Sequence, residues 1–236
     1  TGVTQFLGVH GFNTLIDWFN YGYELTEYFD RLYSQWLGVG ESIRRTSVKP
    51  SGTVSLVVGV TPGIHYNVTS RFHIRRVDLA DNSPLVDPLM RAGYPMEPSI
   101  YTPGNLSVSF PVDAGLGVRS EDEVSTSEQL SLVALAQRHW ADNAVSATVK
   151  FNRKTTTPDD LAQLLQRYDS QLKGISFLPI EHHGYAQAPY EGISDLTYYA
   201  MIADIKPLDL KGLGDSDKLA DMYCDGAACA VPTKGA

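Results

Sequence analysis

Ala144-Val145-Ser146-Ala147-Thr148-Val149-Lys150-Phe151-Asn152 and Ile175-Ser176-Phe177-Leu178-Pro179 are the two segments that decide the fold class. Both are apolar and contain β-branched or aromatic residues, which predicts strands. Between them, Thr157-Pro158-Asp159-Asp160 opens a helix that we expect to end at Gly174. A strand, a helix and a strand within about 35 residues match the spacing of a βαβ unit, whose strands are parallel neighbours. The sequence therefore predicts an α/β protein containing part of a parallel sheet or barrel.

Periodic patterns outside this unit predict further elements. The N-terminal region carries two helical apolar stripes, and Gly22 is expected to separate or kink two helices there. The other predicted elements are an extended segment from Ser42 to Val48, a helix from Val54 to Val58 ending at Gly59, a strand from Arg71 to Leu79, a helix from Ser83-Pro84 to Gly93, a half-buried strand from Asn105 to Val112, a helix from a capping box at Ser125–Glu128 to about Trp140, and a helix from Ser194 to Ile205. Apolar periodicity stops beyond Pro207. We therefore expect a domain over residues 1–206 and a mobile tail over residues 207–236.

The charge balance argues against a nucleic-acid-binding surface. The 236 residues include 27 Asp and Glu against 19 Lys and Arg, a formal net charge of −8, whereas nucleic-acid binding needs clustered cations. The only tight basic cluster, Arg71, His73, Arg75 and Arg76, suits the phosphates of one nucleotide. No apolar run has the roughly 20 residues of a membrane span, and no leader pattern is present. We expect a cytoplasmic protein and, because the chain opens with Thr1, a fragment, a processed product or half of a longer protein.

A turn motif is the first candidate for a binding site. Lys49-Pro50-Ser51-Gly52-Thr53-Val54-Ser55-Leu56, followed by Thr61-Pro62-Gly63-Ile64-His65, is typical of a tight turn running into a helix. Gly52 would let a ligand approach the backbone closely. The hydroxyls of Ser51 and Thr53 lie beside the free N–H groups of a helix start, which suit an anion. From these residues alone, a phosphate site and a simple helix cap both remain open.

The chain's two cysteines, Cys224 and Cys229, lie in the expected tail. A structural disulfide is not expected in a cytosolic chain, and a zinc site would need further ligands, of which only His182 and His183 form a close pair. We therefore predict no metal site. Two thiols on a mobile arm are suited to carrying two electrons between a buried disulfide and an external reductant.

Five motifs and the tail cysteines together resemble one protein family. The motifs are Lys49–Leu56, Thr61–His65, Ile74-Arg75-Arg76-Val77, Gly174-Ile175-Ser176-Phe177-Leu178-Pro179 and Gly184-Tyr185-Ala186-Gln187-Ala188-Pro189-Tyr190-Glu191. In this order they are similar to the adenosylcobalamin-dependent class II ribonucleotide reductases. Two more segments, Asp81–Leu85 and Ala92–Ser99, resemble the monomeric branch that reduces ribonucleoside triphosphates. The resemblance covers the C-terminal third or so of a full-length reductase.

The resemblance implies a fold, a cofactor and partners. The fold would be the C-terminal portion of a ten-stranded α/β barrel, with a flexible redox tail, and the cofactor would be adenosylcobalamin. Pro50, Ser51, Gly52, Thr53 and Val54 would hold the phosphates of a ribonucleoside triphosphate substrate.

In the same family pattern, Cys224 and Cys229 match the tail pair that re-reduces an active-site disulfide and is itself reduced by thioredoxin. The family's radical cysteine and its two reducing partners have no counterpart in this chain, so a complementary N-terminal part is expected as a partner.

Alternatives remain for several residues and for the function. His65 is interpreted as a hydrogen-bonded structural histidine, and Tyr198-Tyr199 as packing residues rather than radical carriers. Tyr185, Gln187 and Tyr190 could shape a ligand face or only the barrel end. A second hypothesis is a non-catalytic binding or regulatory module, against which the tail thiols argue; a third is a di-iron relative with a separate radical subunit.

Overall fold

The computed structural model of the chain describes residues 1–180 and 186–211. Its α-helices are α1 (Val3–Leu37), α2 (Val54–Val58), α3 (Val86–Ala92), α4 (Thr126–His139), α5 (Pro158–Tyr168) and α6 (Asp195–Asp204). Its strands are β1 (Phe72–Ala80), β2 (Met96–Pro98), β3 (Asn105–Asp113), β4 (Thr148–Phe151), β5 (Ser176–Pro179) and β6 (Tyr190–Gly192). Short 3₁₀ turns cover Glu121–Glu123 and Asp169–Gln171. None of the helices within these described ranges is long and apolar enough to cross a membrane.

The predicted βαβ unit is confirmed. β4 and β5 pair in parallel, with Thr148 opposite Ser176 and Phe151 opposite Pro179. α5 connects them, beginning with a capping box in which Thr157 and Asp160 bond each other's backbone N–H groups. The helix ends at Tyr168 rather than at Gly174, because a 3₁₀ turn takes over the last predicted turn. Among the described residues, β5 has no strand partner on its other side.

The remaining strands follow the order β2-β3-β1-β6, and the β1–β6 and β2–β3 pairs are antiparallel. β1 pairs with β6, with His73 opposite Gly192, and β2 pairs with β3, with Met96 opposite Val108. The sequence predicted β1 and β3 but missed β2 and β6, each of which has three residues. Such short strands carry too little alternation to be distinguished from loops.

One helix prediction near the N-terminus needs correction. α1 continues through Gly22, and its break lies at Gly11, where φ is +79° and ψ is 173°. Position 22 is a glycine because of packing: a Cβ there would lie 3.2 Å from Cζ3 of Trp140. Residues 42–48 form no strand, although the carbonyls of Thr46 and Val48 accept hydrogen bonds from Asn143 and Ser146.

The helix boundaries predicted from capping signals are largely confirmed. α2 ends at Gly59, which adopts a left-handed conformation with φ of +67°. α4 begins after Ser125, whose hydroxyl accepts from the N–H of Glu128. The reciprocal half of the predicted capping box is missing, because the Glu128 carboxylate binds Arg119 instead. α3 starts two residues after Pro84 and ends, as predicted, before Gly93.

The described residues divide into two compact units. Unit 1 comprises Thr1–Arg75 and Pro111–Tyr199, and unit 2 comprises Arg76–Phe110 with the described residues from Ala200 onward. The main core lies in unit 1, where α4 contributes the most deeply buried side chains, among them Leu130 and Leu132. Unit 2 has a smaller core around Val108 and Leu89.

Candidate phosphate-binding loop and neighbouring cavity

The loop of residues 50–54, here called the phosphate loop, lies between a buried segment and a short helix. Val48 is buried just before it, and α2 begins at Val54. The backbone N–H of Ser55 donates to the carbonyl of Ser51 at 2.9 Å, which starts the helical turn. Neither Ser51 nor Thr53 caps α2 with its side chain, so the simple helix-cap interpretation is not what this geometry supports.

The two halves of the turn motif are hydrogen-bonded to each other. The hydroxyl oxygen of Ser51 accepts from the backbone N–H of Gly63 at 3.0 Å. Gly63 has a φ of +56°, and a Cβ there would lie 2.6 Å from the carbonyl oxygen of Lys49. Only glycine allows this approach without strain. Thr61–His65 therefore braces the phosphate loop from one side.

The start of α1 holds this brace in turn. The backbone N–H of Gly2 donates to the carbonyl of Thr61 at 2.8 Å, and the side-chain oxygen of Gln5 accepts from the Thr61 N–H at 2.7 Å. The hydroxyls of Thr4 and Thr61 lie 2.9 Å apart and are both buried. No sequence signal pointed to Thr4 or Gln5, because these bonds join segments more than fifty residues apart.

The phosphate loop presents unused donors. Within the described part of the chain, the backbone N–H groups of Gly52, Thr53 and Val54 have no hydrogen-bond acceptor. The hydroxyl of Ser51, while accepting from Gly63, keeps its own proton available to donate. The first turn of α2 contains no acidic residue, and a Cβ at Gly52 would point into open space. This loop can therefore offer several donors to one anion without losing a bond of its own.

His65 has a structural role, as predicted. Its Nε2 accepts from the backbone N–H of Thr148 at 3.1 Å, and its Nδ1 lies 3.3 Å from the carbonyl of Pro62. These contacts require a neutral ring with its proton on Nδ1. Burial lowers the pKa of His65, which favours that neutral form.

The predicted basic cluster is largely occupied by partners in the protein. Arg71 forms a two-pronged ion pair with Asp113, at 2.6 and 2.7 Å. This pairing lowers the pKa of the Asp113 carboxyl. The Arg75 guanidinium lies over the ring of Tyr190, 4.3 Å from its centre. Neither arginine points to a phosphate-binding role.

A cavity of about 210 Å³ lies along the flank of α2. Gly52, Ser55 and Gly59 form its α2 side, and His73 and Tyr190 stand on other walls. Since Gly52 belongs to both, the cavity adjoins the phosphate loop. His73 and Tyr190 belong to sequence motifs, but no sequence signal joins either residue to the loop.

The remaining predicted residues have different outcomes. Tyr198 and Tyr199 pack on Phe72, with ring centres 4.8 and 5.9 Å away, which agrees with a packing role. Cys224, Cys229, Tyr185 and the pair His182-His183 lie outside the described residues. Within the described ranges, no group of three or more His, Cys, Asp or Glu side chains is placed to hold a metal ion.

No family model matches the chain, but individual known proteins are similar to it. A probable adenosylcobalamin-dependent ribonucleoside-triphosphate reductase from Dictyostelium discoideum is 41% identical over 236 residues, covering 98% of this chain and 31% of the relative. The adenosylcobalamin-dependent ribonucleoside-triphosphate reductase of Euglena gracilis is 41% identical over 238 residues, covering 97% of this chain and 32% of the relative. The chain thus spans about a third of the length of these relatives.

The fold agrees with the sequence relationship. A crystal structure of a B12-dependent (class II) ribonucleotide reductase superimposes with a TM-score of 0.78 and 34% sequence identity, covering 82% of this chain and 27% of the other. Both likenesses extend over most of the chain, and both lead to the same kind of protein. By sequence and by fold, the chain belongs to the adenosylcobalamin-dependent (class II) ribonucleotide reductase family, of which it represents one part.

Proposed function

We propose that this chain is the C-terminal part of an adenosylcobalamin-dependent ribonucleoside-triphosphate reductase, in which it holds the substrate phosphates and delivers reducing electrons. The observation that carries the proposal is the braced phosphate loop, whose donors are unused in the described structure. The relatives support the reaction, since they are named as reductases of ribonucleoside triphosphates.

In this proposal, the backbone N–H groups of Gly52, Thr53 and Val54 donate to phosphate oxygens, and the Ser51 and Thr53 hydroxyls add two more donors. Pro50 has no N–H and restricts the backbone at the loop entrance. The Ser51–Gly63 bond keeps these donors in place before the ligand arrives. Such preorganisation reduces the entropy lost on binding.

The electron-delivering part is residues 207–236, the tail expected to carry Cys224 and Cys229. One tail thiolate attacks a sulfur of the oxidised active-site disulfide, and a mixed disulfide forms while the other active-site sulfur leaves as a thiolate. The second tail thiolate then attacks the mixed disulfide. The active site regains two thiols, with protons from the tail pair, and the tail keeps a disulfide. Thioredoxin, a dithiol reductant, returns the tail to its reduced form.

Residues 1–206 would supply the later strands of a ten-stranded α/β barrel. The parallel β4–β5 pair supports this arrangement, because parallel strands joined by a helix are the repeating element of α/β barrels. The remaining strands would come from the complementary N-terminal part, as would the radical cysteine. Such a complex is expected in the cytoplasm, without a role for nucleic acid or a membrane.

The cavity beside the phosphate loop does not fit adenosylcobalamin. The cavity beside the phosphate loop, at about 210 Å³, has room for a group of nucleoside size and not for a corrin ring with its nucleotide arm. The cofactor supplies the radical chemistry when it is bound. Its site is therefore proposed for the complete reductase.

Reconstitution tests the proposal. The chain is combined with its complementary N-terminal part, and deoxynucleotide formation is measured with adenosylcobalamin, thioredoxin and a ribonucleoside triphosphate. We expect turnover that requires both parts and stops when light destroys the cofactor. Assembly without any reduction would favour the non-catalytic module instead, and turnover independent of adenosylcobalamin would favour the di-iron alternative.

A further inference from the structure

The C-terminal half of α1 turns a polar face toward the rest of unit 1. The hydroxyl of Tyr23 donates to Asp142 Oδ1 at 2.8 Å. Asp30 pairs with the Arg45 guanidinium at 3.1 Å, and Glu27 lies 3.6 Å from the same guanidinium. Positions 23, 27 and 30 are separated by four and three residues, so these side chains share one face of the helix. The inward face of this half is therefore held by hydrogen bonds and ion pairs.

The opposite face of the helix is aromatic and exposed. This surface, here called the aromatic stripe, consists of Trp18, Tyr21, Leu25, Tyr28, Phe29, Tyr33 and Trp36. Trp18 is 67% exposed and Trp36 is 71% exposed. Toward its end the stripe is continuous, since the rings of Tyr28, Phe29, Tyr33 and Trp36 have successive centres 5.3, 5.7 and 5.3 Å apart. A helix on the surface of an independent protein places its polar face outward, so the arrangement here is inverted.

The aromatic stripe has the size of a protein–protein interface. Its seven side chains are exposed by fractions between 39% and 71%. Since an aromatic side chain has roughly 150–250 Å² of surface to bury, the stripe presents about 700 Å². The largest apolar patch of a monomeric protein seldom exceeds roughly 600 Å², and a stable interface covers about 800 Å² on each partner. The stripe is therefore expected to be covered by a partner.

The charges beside the aromatic stripe restrict which partner can cover it. Asp17 and Glu24 are exposed next to the stripe, and the neighbouring Arg31 lies 3.6 Å from Glu41. A helix that lies on a membrane carries Lys and Arg beside its apolar face, whereas α1 has four acidic residues and one arginine. A second copy of the chain would bring the same negative charge into the interface, which disfavours self-association. The stripe therefore favours a different protein surface with an apolar centre.

We infer that the aromatic stripe is the surface on which the N-terminal part of the reductase docks, covering it with an apolar face of its own. The inference rests on the proposed function, in which that part and this chain form one enzyme. The superimposed crystal structure has 27% of its chain in the matched region, so the larger remainder of a reductase is available to cover α1. Trp and Tyr are also the side chains that most often dominate the binding energy of an interface.

Two leucines form a matched pair for testing this surface. Leu25 lies in the middle of the aromatic stripe and is 41% exposed, whereas Leu165 lies on α5 and is 43% exposed. Leu25→Gln and Leu165→Gln each replace an exposed apolar side chain by a polar one, and both keep a good helix former and the net charge. The double variant Tyr21→Gln/Trp36→Gln removes two larger side chains of the stripe.

The experiment titrates this chain with the complementary N-terminal part and measures the dissociation constant and the tryptophan fluorescence. Two of the chain's three tryptophans lie on the stripe, so docking should shift the emission to shorter wavelength. Leu25→Gln should weaken association about tenfold and Tyr21→Gln/Trp36→Gln about a hundredfold, while Leu165→Gln stays within about twofold of the original chain. Urea unfolding of each variant by itself should match the original chain, because the substituted side chains are exposed.

The outcomes separate this inference from the proposed function. If the two parts associate and form deoxynucleotides, but Leu25→Gln and Leu165→Gln bind equally well, the docking surface is wrong and the reductase role stands. Association that depends on Leu25 without any deoxynucleotide formation supports the surface and removes the reductase role. A dimer of the chain alone that Leu25→Gln abolishes and the N-terminal part does not displace would assign the stripe to a second copy and overturn the inference. No association of the two parts also overturns it.

Discussion

His65 Nε2 accepts a hydrogen bond from the backbone N–H of Thr148 at 3.1 Å, so a histidine ring occupies a place on the edge of β4 that a neighbouring strand could take. Gln129 occupies the same edge two residues further along β4. Its side-chain oxygen accepts from the N–H of Lys150 at 2.8 Å, and its side-chain nitrogen donates to the Lys150 carbonyl at 3.1 Å. Side chains from the brace and from α4 therefore complete one edge of the parallel pair.

This role of His65 predicts a pH dependence of stability. Its folded-state pKa is lowered, chiefly by burial, whereas the unfolded chain takes up the proton near pH 6.5. The unfolded state thus binds more protons in this range. The stabilising contribution is fully present above about pH 6.5 and is lost as the pH falls through the lowered folded pKa.

His65→Gln is the variant that tests this dependence. The glutamine oxygen can still accept from Thr148, but it cannot titrate. Urea unfolding from about pH 8 down to about pH 5 should show a smaller loss of unfolding free energy for the variant than for the original chain. Equal losses in the two proteins would exclude His65 as a source of the dependence.

The glycines of the turn motif should respond to substitution in opposite ways. Gly63→Ala places a Cβ against the Lys49 carbonyl at a positive φ, and we expect a loss of at least about 1 kcal/mol in unfolding free energy. Gly52→Ala meets open space, so its unfolding free energy should stay equal or rise slightly. Triphosphate affinity should nevertheless fall for Gly52→Ala, because the added methyl group faces the ligand. Denaturant unfolding and equilibrium binding measure the two effects separately, and a stable Gly63→Ala variant would contradict the bracing role.

Ser107 offers a test of the unit 2 core. The alternation in β3 predicted polar residues on an open face, yet Ser107 is 1% exposed and its hydroxyl has no partner among the described residues. Ser107→Ala removes a buried polar group without removing a hydrogen bond. We expect unchanged stability or a gain of up to about 1 kcal/mol in urea unfolding. A clear loss would mean that the hydroxyl has a partner in solution.

The tail cysteines provide the prediction closest to the proposed reaction. In the reconstituted reductase, Cys224→Ser or Cys229→Ser should stop repeated turnover with thioredoxin. One turnover, or continued activity with a small dithiol, should remain, because such a reductant can reach the active-site disulfide directly. The number of deoxynucleotides formed per enzyme molecule distinguishes a single turnover from repeated turnover. Equal loss with both reductants would rule out the shuttle.

Local signals in the sequence were sufficient for much of the fold. The caps at Ser125 and Thr157, the stop at Gly59 and the parallel β4–β5 pair all depend on short stretches with strong preferences. The sequence predicted the kink of α1 at Gly22, whereas the break lies at Gly11, because no local signal distinguishes these two glycines. The packing of Trp140 explains why position 22 is a glycine without a kink being needed there, and Trp140 lies 118 positions away in the sequence.

Only the phosphate loop of the candidate site was predictable from the sequence. Residues 50–54 stood out as a turn with hydroxyls, whereas the brace depends on contacts with Thr4 and Gln5 near the chain start. The orientations of the His73 ring and the Asn67 amide depend on hydrogen bonds to the backbone carbonyls of residues 69–71. Backbone orientation of this kind has no signature in residue type.

The open side of β5 has a practical consequence for anyone who purifies this chain by itself. In the described residues, one edge of β5 meets no strand, and Leu178 on that strand is 47% exposed. Such an edge is a template on which a second molecule can add a strand. Preparations of the isolated chain should aggregate progressively as the concentration rises, and addition of the proposed N-terminal part should keep them in solution.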